Sequence, residues 1–145
     1  MCLVGPASRN PARPVPFVGV SRLAVIALGG VLGSLARFAV SVALGLEQWD
    51  TTRLPWATLA VNLIGCLAIG IVAASAAVAA GPTWLRPFLI TGFLGGFTTF
   101  SALALETGLL LDDGQLLVAA AYLVVTMVFG LLAVRLGALM AARHA

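Results

Sequence analysis

Lysine is absent from this chain of 145 residues, acidic side chains number five, and the chain has one histidine and two cysteines. So few carboxylates and imidazoles leave no metal-ligand cluster and no constellation of nucleophile, base and orienting group, so the chain is not expected to be an enzyme. Cys2 and Cys66 lie in separate regions and give no disulfide framework. The positive charge comes entirely from arginines that form no continuous patch and have no aromatic platform, which argues against nucleic acid as a partner. Charged residues make up 9% of the chain and hydrophobic ones 61%, against roughly 25% charged in ordinary soluble domains. The composition is that of an integral membrane protein.

What is present is long apolar runs. A membrane-spanning helix needs about 20 apolar residues, and four segments supply them, over 23–44, 57–80, 84–111 and 115–139. The expected fold is therefore all-α, a four-helix transmembrane unit over 22–145 with short connections. Residues 1–21, with Pro6, Pro11, Pro14, Pro16, Arg9 and Arg13, read as a disordered tail. The apolar run after it is too long for a secretory signal core, so a retained first helix is expected.

Arginine placement sets the expected orientation. Arg9, Arg13, Arg22, Arg86, Arg135 and Arg143 fall on the side of the termini, whereas Arg53 and the deeper Arg37 belong to the other side with Glu47, Asp50, Asp112 and Asp113. The positive-inside rule places both termini in the cytoplasm of a multi-pass protein of the inner (plasma) membrane.

Each span carries a few polar or small residues in a pattern. In the first, Gly29 and Gly33 have the small-xxx-small spacing of close helix packing, and Arg37 either snorkels or lines an anion-attracting vestibule. In the second, Thr58, Asn62 and Cys66 recur every four residues and share a face; in the fourth, Tyr122, Thr126 and Gly130 do the same. The third holds Gly92-Phe93-Leu94-Gly95-Gly96-Phe97-Thr98-Thr99-Phe100-Ser101, a combination that weakens the helix and places hydroxyl donors at one depth. Lipid cannot satisfy a broken backbone, so such a break is expected to be shielded by protein or to line a polar path. Glu106, Asp112 and Asp113 lie toward a span end and read as solvated. With almost no carboxylate to hold a cation, the donors favour an anion or neutral solute.

Three motifs together, Gly29-Gly30 through Arg37, Thr58 through Gly65, and Gly92 through Ser101, resemble the Fluc (CrcB-type) fluoride channel family of small four-span antiparallel dimers. The resemblance implies passive fluoride efflux that lowers cytoplasmic fluoride. It implies pore-lining roles for Asn62, Thr58, Phe100, Tyr122, Thr126 and Ser101, and a vestibule position for Arg37. It also implies a central structural Na⁺ held by backbone carbonyls at Gly95 and Thr98. Phe100 would present the electropositive rim of its ring to the anion. Leu103 stands where the family usually has a second phenylalanine, and leucine lacks that rim. The partners implied are fluoride, membrane lipid, and either a second copy in antiparallel, dual-topology orientation or a related four-span subunit. The arginine bias favours one orientation, so half of an obligate heterodimer is an alternative to a homodimer. A small multidrug exporter would need a carboxylate in the first span, which has none, and a non-transporting scaffold subunit is the remaining alternative.

Overall fold

A computed structural model describes residues 20–44 and 54–143. The expectations for residues 1–19 and for Glu47, Asp50 and Arg53 lie outside these. Four helices are long and apolar enough to cross a membrane, and the described residues contain no strand. The first, α1 (Val20–Ala43), spans about 36 Å at ~1.5 Å per residue, more than the roughly 30 Å hydrocarbon core.

The second span is shorter than its apolar run. Helix α2 (Trp56–Ala74) stops at Ser75, whose extended backbone (φ −72°, ψ 119°) leaves the helix. The Ser75 Oγ accepts the Val78 N–H at 3.3 Å and opens a separate short helix, α3 (Ala76–Ala80). Hydropathy alone carried the expected span on to residue 80; a serine that offers the backbone an alternative hydrogen bond ends it.

The third span consists of three pieces. Pro87–Leu94 is wound as a π-helix, with the Gly95 N–H reaching back five residues to the Ile90 carbonyl. One α-turn, α4 (Gly95–Phe97), follows, and the chain then leaves the helix at Thr98 (ψ 156°) and Thr99 (φ −148°, ψ 116°) before resuming as α5 (Phe100–Asp112). A turn at Gly114, whose φ of +75° suits glycine, leads to α6 (Leu116–Ala142), which ends three residues beyond its expected run.

The helices pair in parallel. Helix α1 lies along the π-helical segment, and α2 lies along α6. Both contacts depend on missing side chains. A Cβ at Gly29 would stand 2.6 Å from the Phe88 carbonyl oxygen, and one at Gly33 would overlap the Phe93 carbonyl. In the other pair, a Cβ at Gly137 would overlap the Leu67 carbonyl. Gly29 and Gly33 thus serve the close packing their spacing predicts. The buried cluster of Leu59, Leu103, Leu110, Ala119 and Tyr122 joins α2, α5 and α6.

Candidate functional site

Asn62 lies in the middle of α2 and is 8% exposed. Its side chain faces the gap in the third span, where the Oδ1 accepts the Thr99 N–H at 2.9 Å and the Nδ2 donates to the Thr99 carbonyl at 3.1 Å. One amide therefore satisfies both main-chain groups of the residue that has left the helix, a requirement imposed by a medium without water. The Thr99 side chain closes the other end of the gap. Its Oγ1 accepts the Ala102 N–H at 3.1 Å and caps α5, and it lies 3.1 Å from Ser101 Oγ. Thr98 turns the other way and donates both its N–H and its hydroxyl to the Leu94 carbonyl, at 3.0 and 2.9 Å. Gly65 makes room for it, since a Cβ there would overlap the Thr98 methyl.

The break is thus made by Thr98 and Thr99, not by the glycines beside them. Gly92 packs on Ile26 and Gly29 and Gly96 packs on Gly30, so these two keep α1 close while remaining helical. Gly95 is exposed, and a Cβ there would find its nearest neighbour, the Ile90 carbonyl oxygen, at an ordinary 3.7 Å.

A second polar centre lies around Glu106 of α5. Thr58 donates its hydroxyl to Glu106 Oε1 at 2.6 Å, and Tyr122 donates to Oε2 at 2.6 Å. Tyr122 is fully buried and Glu106 is half-buried. Glu106 is therefore not the solvated residue of a span end that its sequence position suggests. It ties α2, α5 and α6 together through short hydrogen bonds from two hydroxyls. The same geometry revises what Thr58 and Tyr122 offer, because their protons point at the carboxyl group and not into open space. Thr126, one turn beyond Tyr122, donates to the Tyr122 carbonyl at 2.7 Å and is likewise engaged within its own helix.

Two cavities flank the Asn62 and Thr99 pair. One, of about 310 Å³, is lined by Ser34, Arg37, Ser41, Thr58 and Thr99. Arg37 is half-buried in its wall, with Nε buried and without a hydrogen-bond partner. The other, about 350 Å³, is more apolar and is bordered by Asn62, Cys66, Phe100, Leu103 and Thr126. Phe100 is 70% exposed, while Leu103, three residues on, is 2% exposed and packed in the cluster with Tyr122. Ser101 is exposed beside Phe100.

The residues singled out from the sequence thus gather at the break, around Glu106 or along the two cavities. Thr99 and Glu106 were missed as site residues. The run of two threonines after a glycine pair was a usable signal for Thr99; Glu106 had none, because its partners lie 48 and 16 residues away.

Residues 24–138 match the family described as CrcB-like protein, Camphor Resistance (CrcB). The chain is 47% identical over 112 residues to a protein of Paracoccus denitrificans named fluoride-specific ion channel FluC, covering 77% of this chain and 87% of the relative. A protein of Methylobacillus flagellatus with the same name is 47% identical over 115 residues, 78% of this chain and 88% of its own. A Nocardia farcinica protein named fluoride-specific ion channel FluC 2 is 43% identical over 134 residues, 88% and 89% of the two chains.

Proposed function

Since the chain belongs to the CrcB-like family, whose relatives named above are called fluoride-specific ion channels, we propose that it is a fluoride channel subunit through which fluoride leaves the cytoplasm passively. It is a multi-pass membrane protein and not an enzyme. The observation that carries the reading is the seam of buried and half-buried polar groups, Asn62, Thr99, Glu106, Thr58 and Tyr122, inside a unit that is largely apolar.

Fluoride is small and strongly hydrated, so a pathway must replace its water with directed donors. Asn62 has two amide hydrogens and spends one on Thr99, leaving the other for an anion. Arg37 supplies positive charge to the cavity on one side of that amide, where it raises the local anion concentration. The hydroxyls of Thr58 and Tyr122 serve an ion only when they turn away from Glu106, so this carboxyl group competes with the anion for them. Phe100 offers an electropositive ring edge from the subunit surface, where Ser101 adds a hydroxyl. An inside-negative potential of 100 mV contributes about 2.3 kcal/mol per charge toward anion exit.

The assembly in this reading is an antiparallel dimer in the inner membrane, with the termini of this chain in the cytoplasm. Arg22, Arg86, Arg135 and Arg143 are exposed toward that end, and Asp112 and Asp113 toward the other, which supports the orientation. A structural Na⁺ belongs to the reading as well. Gly95 and Thr98 fit it, because each carbonyl lacks its ordinary helical partner: the Thr99 N–H goes to Asn62 and the Ala102 N–H to Thr99 Oγ1. Bound there, a hard cation would draw on backbone oxygens of this kind to hold two subunits together.

Two observations favour a heterodimer over a homodimer. Leu103 provides no second ring, and the arginine bias opposes insertion of an inverted copy. Purified chain reconstituted alone into liposomes and assayed with a fluoride electrode tests both points. Fluoride efflux with chloride retained supports the channel, and robust efflux from the single protein rejects the need for a second kind of subunit. Absence of efflux both alone and with an oppositely biased relative rejects the channel.

A further inference from the structure

Hydrogen bonding at the break leaves particular backbone oxygens free. In a continuous helix the Gly95 carbonyl would accept the N–H four residues on, that of Thr99, and the Thr98 carbonyl would accept that of Ala102. Both donors are diverted. The Thr99 N–H is held by Asn62 Oδ1 at 2.9 Å, and the Ala102 N–H by Thr99 Oγ1 at 3.1 Å. The neighbouring carbonyls are treated differently: Leu94 accepts two bonds from Thr98, Gly96 accepts one from Ser34 Oγ at 3.4 Å, and Thr99 accepts from Asn62.

We propose that Asn62 and Thr99 are positioning residues for the cation, acting as decoy acceptors that withhold two N–H groups and so keep the Gly95 and Thr98 carbonyls available to Na⁺. The assignment rests on the Na⁺ reading given above and adds to it which side chains create the ligands. Asn62 then has two tasks at once, a donor toward the pathway and an acceptor that shapes the cation site on the opposite strand of the break. Neither residue touches the ion. Removing either acceptor lets the freed N–H close onto its carbonyl and heal one turn of helix, at the cost of a ligand. Gly95 itself is exposed at the surface of the subunit.

The test is a Na⁺ titration of the purified full-length protein at constant ionic strength, with N-methylglucamine as the replacing cation and thermal melting as the readout. Wild type is expected to gain melting temperature with Na⁺ along a saturable curve. Thr99→Val and Asn62→Leu should each move the midpoint about tenfold or more to higher Na⁺, the loss expected for one ligand or its alignment. Thr99→Ser, which keeps the capping oxygen, should stay within about threefold. Thr107→Val removes a hydroxyl that donates to the Leu103 carbonyl, away from the break, and should lower the melting temperature without moving the midpoint. If wild type melts alike in Na⁺ and N-methylglucamine, the Na⁺ reading itself fails. If wild type responds but Thr99→Val and Asn62→Leu keep its midpoint, the positioning role is overturned and the Na⁺ site stands. Should Asn62→Leu not fold, the comparison of Thr99→Val with Thr99→Ser decides.

Discussion

Asn62 and Thr99, 37 positions apart in the sequence, hydrogen-bond each other twice, side-chain amide to main chain. This reciprocal pair joins the α1 and third-span half of the molecule to the α2 and α6 half at the level where the third span leaves its helix. Asn62→Ala orphans the carbonyl of Thr99 in a buried place and leaves its N–H only the Gly95 carbonyl to close onto. Each unsatisfied group costs about 1–3 kcal/mol, so a substantial fall in stability is expected, seen as a lower denaturant midpoint in detergent, together with reduced fluoride flux. A variant with wild-type stability and wild-type flux would remove Asn62 from both roles.

Glu106→Gln keeps the size of the side chain but replaces one acceptor oxygen by an NH₂ group, which cannot accept from either Thr58 or Tyr122. One of the two 2.6 Å bonds must therefore be lost or reversed. The expected effect is about 1–3 kcal/mol of stability and an altered fluoride efflux rate, measured on the same reconstituted sample. If both are unchanged, the carboxylate has no part in the pathway.

Leu103→Phe tests the missing ring. Leu103 is packed in the cluster of Tyr122 and Leu110, but it also borders the cavity of about 350 Å³. Overpacking a filled core costs about 1–3 kcal/mol; with this space alongside, a loss below about 1 kcal/mol is expected, with fluoride efflux from the chain alone increased. A severe loss of folded protein would show that the ring cannot enter the cavity.

Gly33→Ala adds the smallest possible side chain at a helix crossing where a Cβ overlaps the Phe93 carbonyl. Because the obstacle is backbone, α1 must move away from the third span. A loss of about 1–3 kcal/mol is expected, whereas Gly30→Ala, whose Cβ meets nothing within 4 Å, should be neutral in the same unfolding assay.

Cys66 gives a chemical probe of the cavity that borders Asn62. It is half-buried, lines that space and packs on Gly130, where a Cβ would stand 3.4 Å from its Sγ. In a Cys2→Ser background, a small methanethiosulfonate reagent should react with Cys66 and slow fluoride efflux, and Cys66→Ser should abolish the effect. Reaction without any change in flux would place the cavity off the pathway.

Much of this arrangement was legible in the chain, for a physical reason. Apolar runs must be long enough to cross the membrane, and the few polar residues within them recur every four positions, which places Asn62 and Tyr122 each on a shared polar face of its helix. The glycines of the third span read two ways, because in a helix they signal a possible break and a close approach equally. Gly92 and Gly96 serve approach to α1, and the break falls just after them, at Thr98 and Thr99. Glu106 escaped notice because one-dimensional reading sees its distance from the end of a span, whereas its environment is set by α2 and α6 arriving from elsewhere in the sequence. Ser75 likewise ends α2 through a local hydrogen bond that hydropathy does not register.

The pairing of α1 with the third span and of α2 with the fourth has a consequence for biosynthesis. Each parallel pair is made of helices that leave the ribosome out of turn, with another span between them, and α1 meets α2 only lightly. After two spans have entered the bilayer, neither has its main partner, and Asn62 has no Thr99 to hold its amide. The nascent chain must keep these helices side by side in lipid, with that amide uncommitted, until the third span arrives, so a stall before Thr99 leaves a product with the chemistry of the site but none of its closure.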